Sequence, residues 1–235
     1  MESSQATPKP ADGIWLSLDT CGALGSVALG RWRQGNLEVL AHTELDGRNL
    51  SSTLVGSIAE ILNRAGVKKP DGIVVVRGPG SFTGVRVGLA VVKGLAEAWA
   101  VPVVVATGLE LMADKAGVNS AAMDAHRQEI FLRVPNLESG SEAPEMLAGD
   151  EELTAMEARP ALIAVCDDKA TDLLAACWPG VEQLRVEPPN AVDALQFCGK
   201  RIAMGDHADL ALLDGHYLRR SDAEIFGRPT VKQPV

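Results

Sequence analysis

An α/β fold built on a mixed sheet is what this sequence predicts, and three observations carry the prediction. Near the start, three stretches of strand-like pattern follow one another across tight turns. Ile73–Val76 is a short unbroken β-branched run, as expected of a strand buried on both faces. Around that run stand segments whose apolar residues recur at helical spacing.

Ile14–Asp19, Ser26–Trp32 and Leu37–Glu44 read as strands joined by CGALG and by the Gln34-Gly35-Asn36 turn, which makes an antiparallel meander. Ser52–Ala65 reads as an amphipathic helix with Leu54, Ile58, Ile61 and Ala65 on one face and Gly66 at its end. Residues 71–95, DGIVVVRGPGSFTGVRVGLAVVKGL, read as a strand, a glycine-proline-glycine turn and a second helix. Ser81 or Thr83 is placed to cap that helix by accepting from one of its first amides. Val101–Val105 closes a β-β-β-α-β-α-β order. Three meandering strands followed by two crossovers build the ribonuclease-H-like half found in sugar kinases, actin and Hsp70.

The second helix has too much apolar circumference for one sheet. At about 100° per residue, Val85, Leu89, Val92, Ala96 and Trp99 fall on one stripe, while Val87, Val91, Gly94 and Ala98 fall on the other side. Only Arg86, Lys93 and Glu97 form a polar line. The second stripe must therefore meet another helix, from this chain or from another. Gly84, Gly88 and Gly94 each cost about 1 kcal/mol against alanine in a helix, so close backbone approach is their expected use.

The rest reads as a second, reduced lobe. Ala121–Asp124 and Gln128–Val134 pair as a hairpin, Ala161–Val165 is a short strand, and Val192–Met204 is helical by spacing. Pro135–Arg159 is acidic and rich in Gly, Ser and Pro, an excursion to which no structure is assigned. The expected division is a disordered lead at 1–12, a first lobe at 13–107, a second at 108–225 and a tail at 226–235.

With 235 residues, 46% of them hydrophobic, the chain can fill a proper core. A formal net charge of −9, with no cluster of basic and aromatic residues, argues against autonomous nucleic-acid binding, because phosphate contacts dominate that affinity. Cys21, Cys166, Cys177 and Cys198 lie far apart without CxxC or Cys-His spacing and read as reduced, mostly buried thiols. The polar opening MESSQATPKPADG reads as neither signal peptide nor anchor, and no run approaches the roughly 20 apolar residues of a membrane span, so a cytoplasmic location is expected.

A glycine turn feeding a helix N-terminus suits a phosphate. Here it lacks the P-loop lysine, since Val85 follows Gly84, and Gly78-x-Gly80-x-x-Thr83 departs from the dinucleotide fingerprint. Asp19, Gly78, Gly80, Ser81 and Thr83 therefore form a candidate nucleotide-proximal turn with a structural alternative, in which Asp19 accepts amides of the CGALG turn. His42, His126, His207 and His216 form no HxxxH or HExxH pair, so no metal site is assigned. Ser81 lacks the G-x-S-x-G elbow, which leaves a serine hydrolase without support. Asp124, Arg127 and Glu129 read as structural ion-pair residues; no catalytic residue is assigned.

LDTCGALGSVAL, RGPGSFTGVRVGLAVVKGLA, MDAHRQEIF and HYLRR together resemble the TsaB (YeaZ) family, from about Ile14 to Ala223. The resemblance implies a two-lobed actin/Hsp70/sugar-kinase-like fold with a mixed β-sheet in each lobe, the second reduced. It further implies a non-catalytic partner of the TsaD transferase in tRNA t6A37 synthesis. A TsaE-like ATPase would contact the pair, a TsaC-like enzyme would supply threonylcarbamoyl-AMP, and tRNA would be reached only through the complex. Family members use the first-lobe helices as a dimer interface, with TsaD or with a second copy. Leu54, Ile58, Ile61, Gly84, Val87, Gly88, Val91, Gly94, Leu95 and Ala98 are the expected contact residues here. No cofactor is expected beyond weak ATP or ADP at the complex interface. The sequence departs from the family at Leu50-Ser51-Ser52, where many relatives have His-Ser-Glu, and at His126, where they have arginine. TsaD-type subunits carry a paired-histidine metal motif that is absent here. An ATP-dependent phosphotransferase on the same fold is the rival reading.

Overall fold

A computed structural model describes residues 12–135 and 143–219. Residues 1–11 of the expected lead, Arg220 and the expected tail at 226–235 lie outside the described residues. The chain forms two five-stranded mixed sheets. The first comprises β1 (Gly13–Asp19), β2 (Leu24–Arg33), β3 (Asn36–Asp46), β4 (Gly72–Val76) and β5 (Val103–Ala106), in the order β3-β2-β1-β4-β5. β1, β2 and β3 pair antiparallel, whereas β4 and β5 add in parallel. This is the ribonuclease-H-like arrangement that the element order predicts, with boundaries shifted by a few residues.

α1 (Leu50–Arg64) and α2 (Phe82–Trp99) cover one face of this sheet. The other face is covered by α6 (Ala191–Met204), which the sequence reading assigned to the second lobe. Alternation along β2 separates the two layers: a Cβ at Gly25 would meet Leu50 of α1, whereas one at Gly30 would meet Leu195 of α6. Trp32, on the same side as Gly30, lies against Gly199, where any side chain would collide with its ring. Ala191, Ala194, Leu195, Cys198 and Ile202 accordingly belong to the first core. A sheet apolar on both faces needs two helical layers, and the crossovers alone supply one.

The second sheet runs β10 (Glu182–Arg185), β9 (Leu162–Val165), β6 (Ala121–Asp124), β7 (Ile130–Arg133) and β8 (Glu145–Ala148). The predicted hairpin is β6 and β7, antiparallel, and the predicted short strand is β9. Pro135–Arg159 is more ordered than its composition suggests, since it holds β8 and the short α4 (Asp150–Ala155); residues 136–142 lie outside the described residues. Sequence reasoning passed over α3 (Gly108–Ala116), α5 (Asp168–Cys177) and β10. α3 begins with a capping box in which Thr107 and Glu110 satisfy each other's backbone amides, and it packs between the lobes. Leu111 joins the first core, whereas Leu109, Met112 and Ala113 join a cluster with Ala121 and Phe131.

α2 is capped by Ser81, whose Oγ accepts from the Gly84 amide, and it ends at Ala100 in the left-handed conformation. Two of its three glycines serve the chain itself. A Cβ at Gly84 would lie 2.0 Å from the Thr20 carbonyl oxygen, and one at Gly88 would lie 2.2 Å from Thr20 Oγ1. Thr20 Oγ1 donates to the Gly84 carbonyl at 2.8 Å. In front of Gly94 a Cβ would meet nothing within 4 Å. Gly84→Ala should therefore destabilise the isolated chain by about 1–3 kcal/mol or more. Gly94→Ala should stabilise it by about 0.5–1 kcal/mol. Urea denaturation of the two variants measures both, and an unchanged midpoint for Gly84→Ala would contradict the packing described.

Candidate functional site

The outer side of the α1–α2 layer is small and apolar. On α2, Val87, Val91 and Leu95 are half-buried, and Ala90, Gly94 and Ala98 are exposed. On α1, Val55 is 57% exposed beside exposed Gly56 and Ala59. At helical spacing the exposed α2 residues form one ridge opposite Val85, Leu89, Val92 and Ala96, which are buried on the sheet. Half of the expected contact residues lie elsewhere. Leu54, Ile58 and Ile61 are buried on the chain's own sheet, and Gly84 and Gly88 are closed off by Thr20. α1 has a single apolar stripe, and its own sheet consumes it.

The glycine turn is filled from within. The Ser81 amide donates to the Cys21 carbonyl at 2.8 Å, and a Cβ at Gly80 would lie 2.3 Å from the same oxygen. Gly78, at φ +118°, packs against the His216 backbone, while its carbonyl accepts from the Gly108 amide at 2.9 Å. Thr83 is exposed, and Ser81 takes the capping role. Asp19 is buried and accepts the Cys21 amide at 2.9 Å, which is the structural alternative weighed from the sequence. Burial pushes the Asp19 carboxyl up to about 6, against the opposing pull of the Cys21 amide. Burial likewise holds the Cys21 thiol far above its ordinary range, and Cys198 up to about 12. All four cysteines are free: Cys21 and Cys198 are buried, Cys166 and Cys177 half-buried.

A polar network ties the lobes together. Glu145, almost wholly buried, accepts from Thr107 Oγ1 and from Arg133 Nη1 at 3.2 Å. His216 Nε2 lies 3.0 Å from its other oxygen, close but poorly aligned for a hydrogen bond. Arg219 donates to the carbonyls of Ala125 and His126 and pairs with Glu129. The hairpin it grips holds His126, Arg127 and Gln128 in succession at φ of 62°, 57° and 62°. Asp124 pairs with Lys169 at 3.1 Å. The segment leading to Arg219 thus lies along the lobe junction, where Tyr217 meets Phe82 with ring centroids 5.2 Å apart and Arg86 stacks 3.7 Å over Phe82. Glu145 was missed because it stands in the polar excursion. Phe82 was passed over inside a motif read for its glycines and hydroxyls.

These features define a two-lobed ribonuclease-H-like protein with an internally filled glycine turn and an open helical face. A family model described as TsaD, tRNA N6-adenosine threonylcarbamoyltransferase, matches residues 41–146. The tRNA threonylcarbamoyladenosine biosynthesis protein TsaB of Escherichia coli K12 is 34% identical over 124 residues, 49% of this chain and 52% of that protein. Its counterpart from Haemophilus influenzae is 36% identical over 125 residues, 50% of this chain and 51% of that protein. The chain thus spans about half the length of the curated relatives it matches. YeaZ from Pseudomonas aeruginosa superposes with a TM-score of 0.68 at 27% identity, over 87% of this chain and 99% of that one. In sequence over about half its length, and in fold over most of it, the chain is similar to the TsaB and YeaZ proteins.

Asp19 makes a testable contribution to stability. Its folded carboxyl titrates near 6, above the ordinary 3.8, so between about pH 4 and 6 the folded state holds more protons than the unfolded one. Stability from this group is therefore full below pH 4 and falls as pH rises through 6. Asp19→Asn keeps an acceptor for the Cys21 amide and removes the buried charge. The variant should gain stability relative to the parent between pH 4 and pH 8, by on the order of 3 kcal/mol. Denaturant unfolding at the two pH values checks it, and a difference that does not change with pH would refute the assignment.

Proposed function

We propose that this chain is a non-catalytic scaffold subunit in tRNA N6-threonylcarbamoyladenosine (t6A37) formation, which binds a TsaD-type transferase through its α1–α2 face and activates it. The observation that carries the reading is the ridge Val87, Ala90, Val91, Gly94 and Ala98, left open although the sheet beneath α2 is fully covered. A ridge of small side chains lets another helix approach closely. Covering its half-buried valines would add on the order of 1 kcal/mol each, before the costs of association. The similarity to the TsaB proteins and to the TsaD family model supports the same pathway. In the absence of the transferase, two copies of this chain would pair through the same face. tRNA would be held by the complex rather than by this acidic chain, and a TsaE-like ATPase would contact the assembly.

A phosphotransferase would need free amides at the glycine turn, and those of Ser81 and Gly84 are engaged by Cys21 and by the Ser81 hydroxyl. The scaffold reading asks nothing of that turn. Among the described residues no helix is long and apolar enough to cross a membrane, which accords with the proposed cytoplasmic setting.

Val91→Asp places a charge at the centre of the ridge, on a half-buried position at the margin of the chain's own core. Co-expressed with a TsaD-type subunit, the variant should unfold as cooperatively as the parent yet capture at least tenfold less of it. Equal capture by the two proteins would remove the proposed interface.

A further inference from the structure

A crevice of about 200 Å³ lies beside the carboxyl ends of β4 and β5, lined by Arg77, Val105, Ala106, Glu110, Arg201 and the segment Asp206–Ala208. In open α/β sheets the space outside the carboxyl ends of parallel strands is where ligands bind. Arg77 follows β4 directly, and its backbone is fixed on both sides. Its amide donates to Ala106 O at 3.0 Å, and its carbonyl accepts from the His216 amide at 2.7 Å.

The two guanidinium groups in the crevice are in different states. Arg201 is committed: Nη2 and Nη1 reach Glu110 at 2.6 and 3.3 Å, and Nη1 donates to Val105 O at 2.6 Å. Arg77 is not. Its Nε is buried without a hydrogen-bond partner, and among the described residues no carboxylate lies within ion-pair distance of its guanidinium. Asp206 also lines the crevice but makes no ion pair with Arg77. A half-buried guanidinium with an unmet donor is costly unless something accepts from it. It offers a planar fork suited to two oxygens of one oxyanion.

We propose that this crevice is an anion-binding site built around Arg77, taking a small carboxylate or a phosphate. Glu110 holds Arg201 away from the ligand, so Arg77 supplies the charge-assisted bonds. The Asp206 carboxylate limits the site to ligands with a single anionic end. The site is separate from the outer α1–α2 ridge, and the inference does not depend on which protein that ridge binds.

Nitrogen-15 arginine spectra of the full chain test it, with sodium acetate and sodium phosphate added separately against sodium chloride at equal ionic strength. The Arg77 Nε–H signal is identified by its loss in Arg77→Lys, or by backbone-linked assignment if that variant does not fold. That signal should shift saturably with at least one of the two anions, half-saturating at about 1–10 mM, while chloride leaves it in place. A response to acetate assigns a carboxylate site, and a response to phosphate alone assigns a tetrahedral oxyanion site. No saturable shift with either anion up to about 100 mM, or the same shift with chloride, overturns the proposal.

Discussion

The contact on which the first lobe turns is the close approach of the β1–β2 loop to the first turns of α2. Thr20 lies where the side chains of Gly84 and Gly88 would be, and Cys21 takes the Ser81 amide. The strand β4, the glycine turn and the helix are thereby locked to β1 by backbone contacts that tolerate no Cβ. The orientation of α2 follows. With Val85, Leu89, Val92 and Ala96 pressed on the sheet, the ridge from Val87 to Ala98 points away from the chain. The same lock fills the turn that the sequence offers to a phosphate, so one set of glycines both aims the helix and closes the pocket.

The lobes are joined by polar contacts more than by a shared core. Glu145 collects Thr107, Arg133 and His216, and Arg219 clasps the β6–β7 hairpin. Buried ionic contacts of this kind add little net stability compared with apolar packing, but they are exacting in geometry. α3 adds the apolar part of the join, with Leu111 turned to one cluster and Leu109 and Met112 to the other.

Much of this was legible in the sequence where period and turn chemistry agree. The meander, α1, α2 and β4 were readable because Leu54, Ile58 and Ile61, and the run Ile73–Val76, carry unambiguous spacing. The open ridge was readable as an excess of apolar circumference on one helix. What periodicity cannot say is which sheet an amphipathic segment covers, so α6 was expected in the lobe to which its position in the chain pointed. Nor can it separate a glycine kept for an outside partner from one kept for a neighbouring loop; Gly94 and Gly84 look alike until Thr20 is placed. β8 and α4 escaped because Glu145–Ala148 and Asp150–Ala155 are too short and polar to show a period. Glu145, the centre of the lobe junction, escaped with them.

The return of α6 to the first sheet makes the second sheet an insertion within a discontinuous domain. Leu195, Cys198 and Ile202 seal the face to which Trp15, Ala28 and Trp32 belong, so the amino-terminal half has no finished interior while the ribosome is still adding the middle of the chain. Closure waits for contacts separated by most of the polypeptide, an arrangement that slows folding and leaves the nascent sheet exposed in the interval.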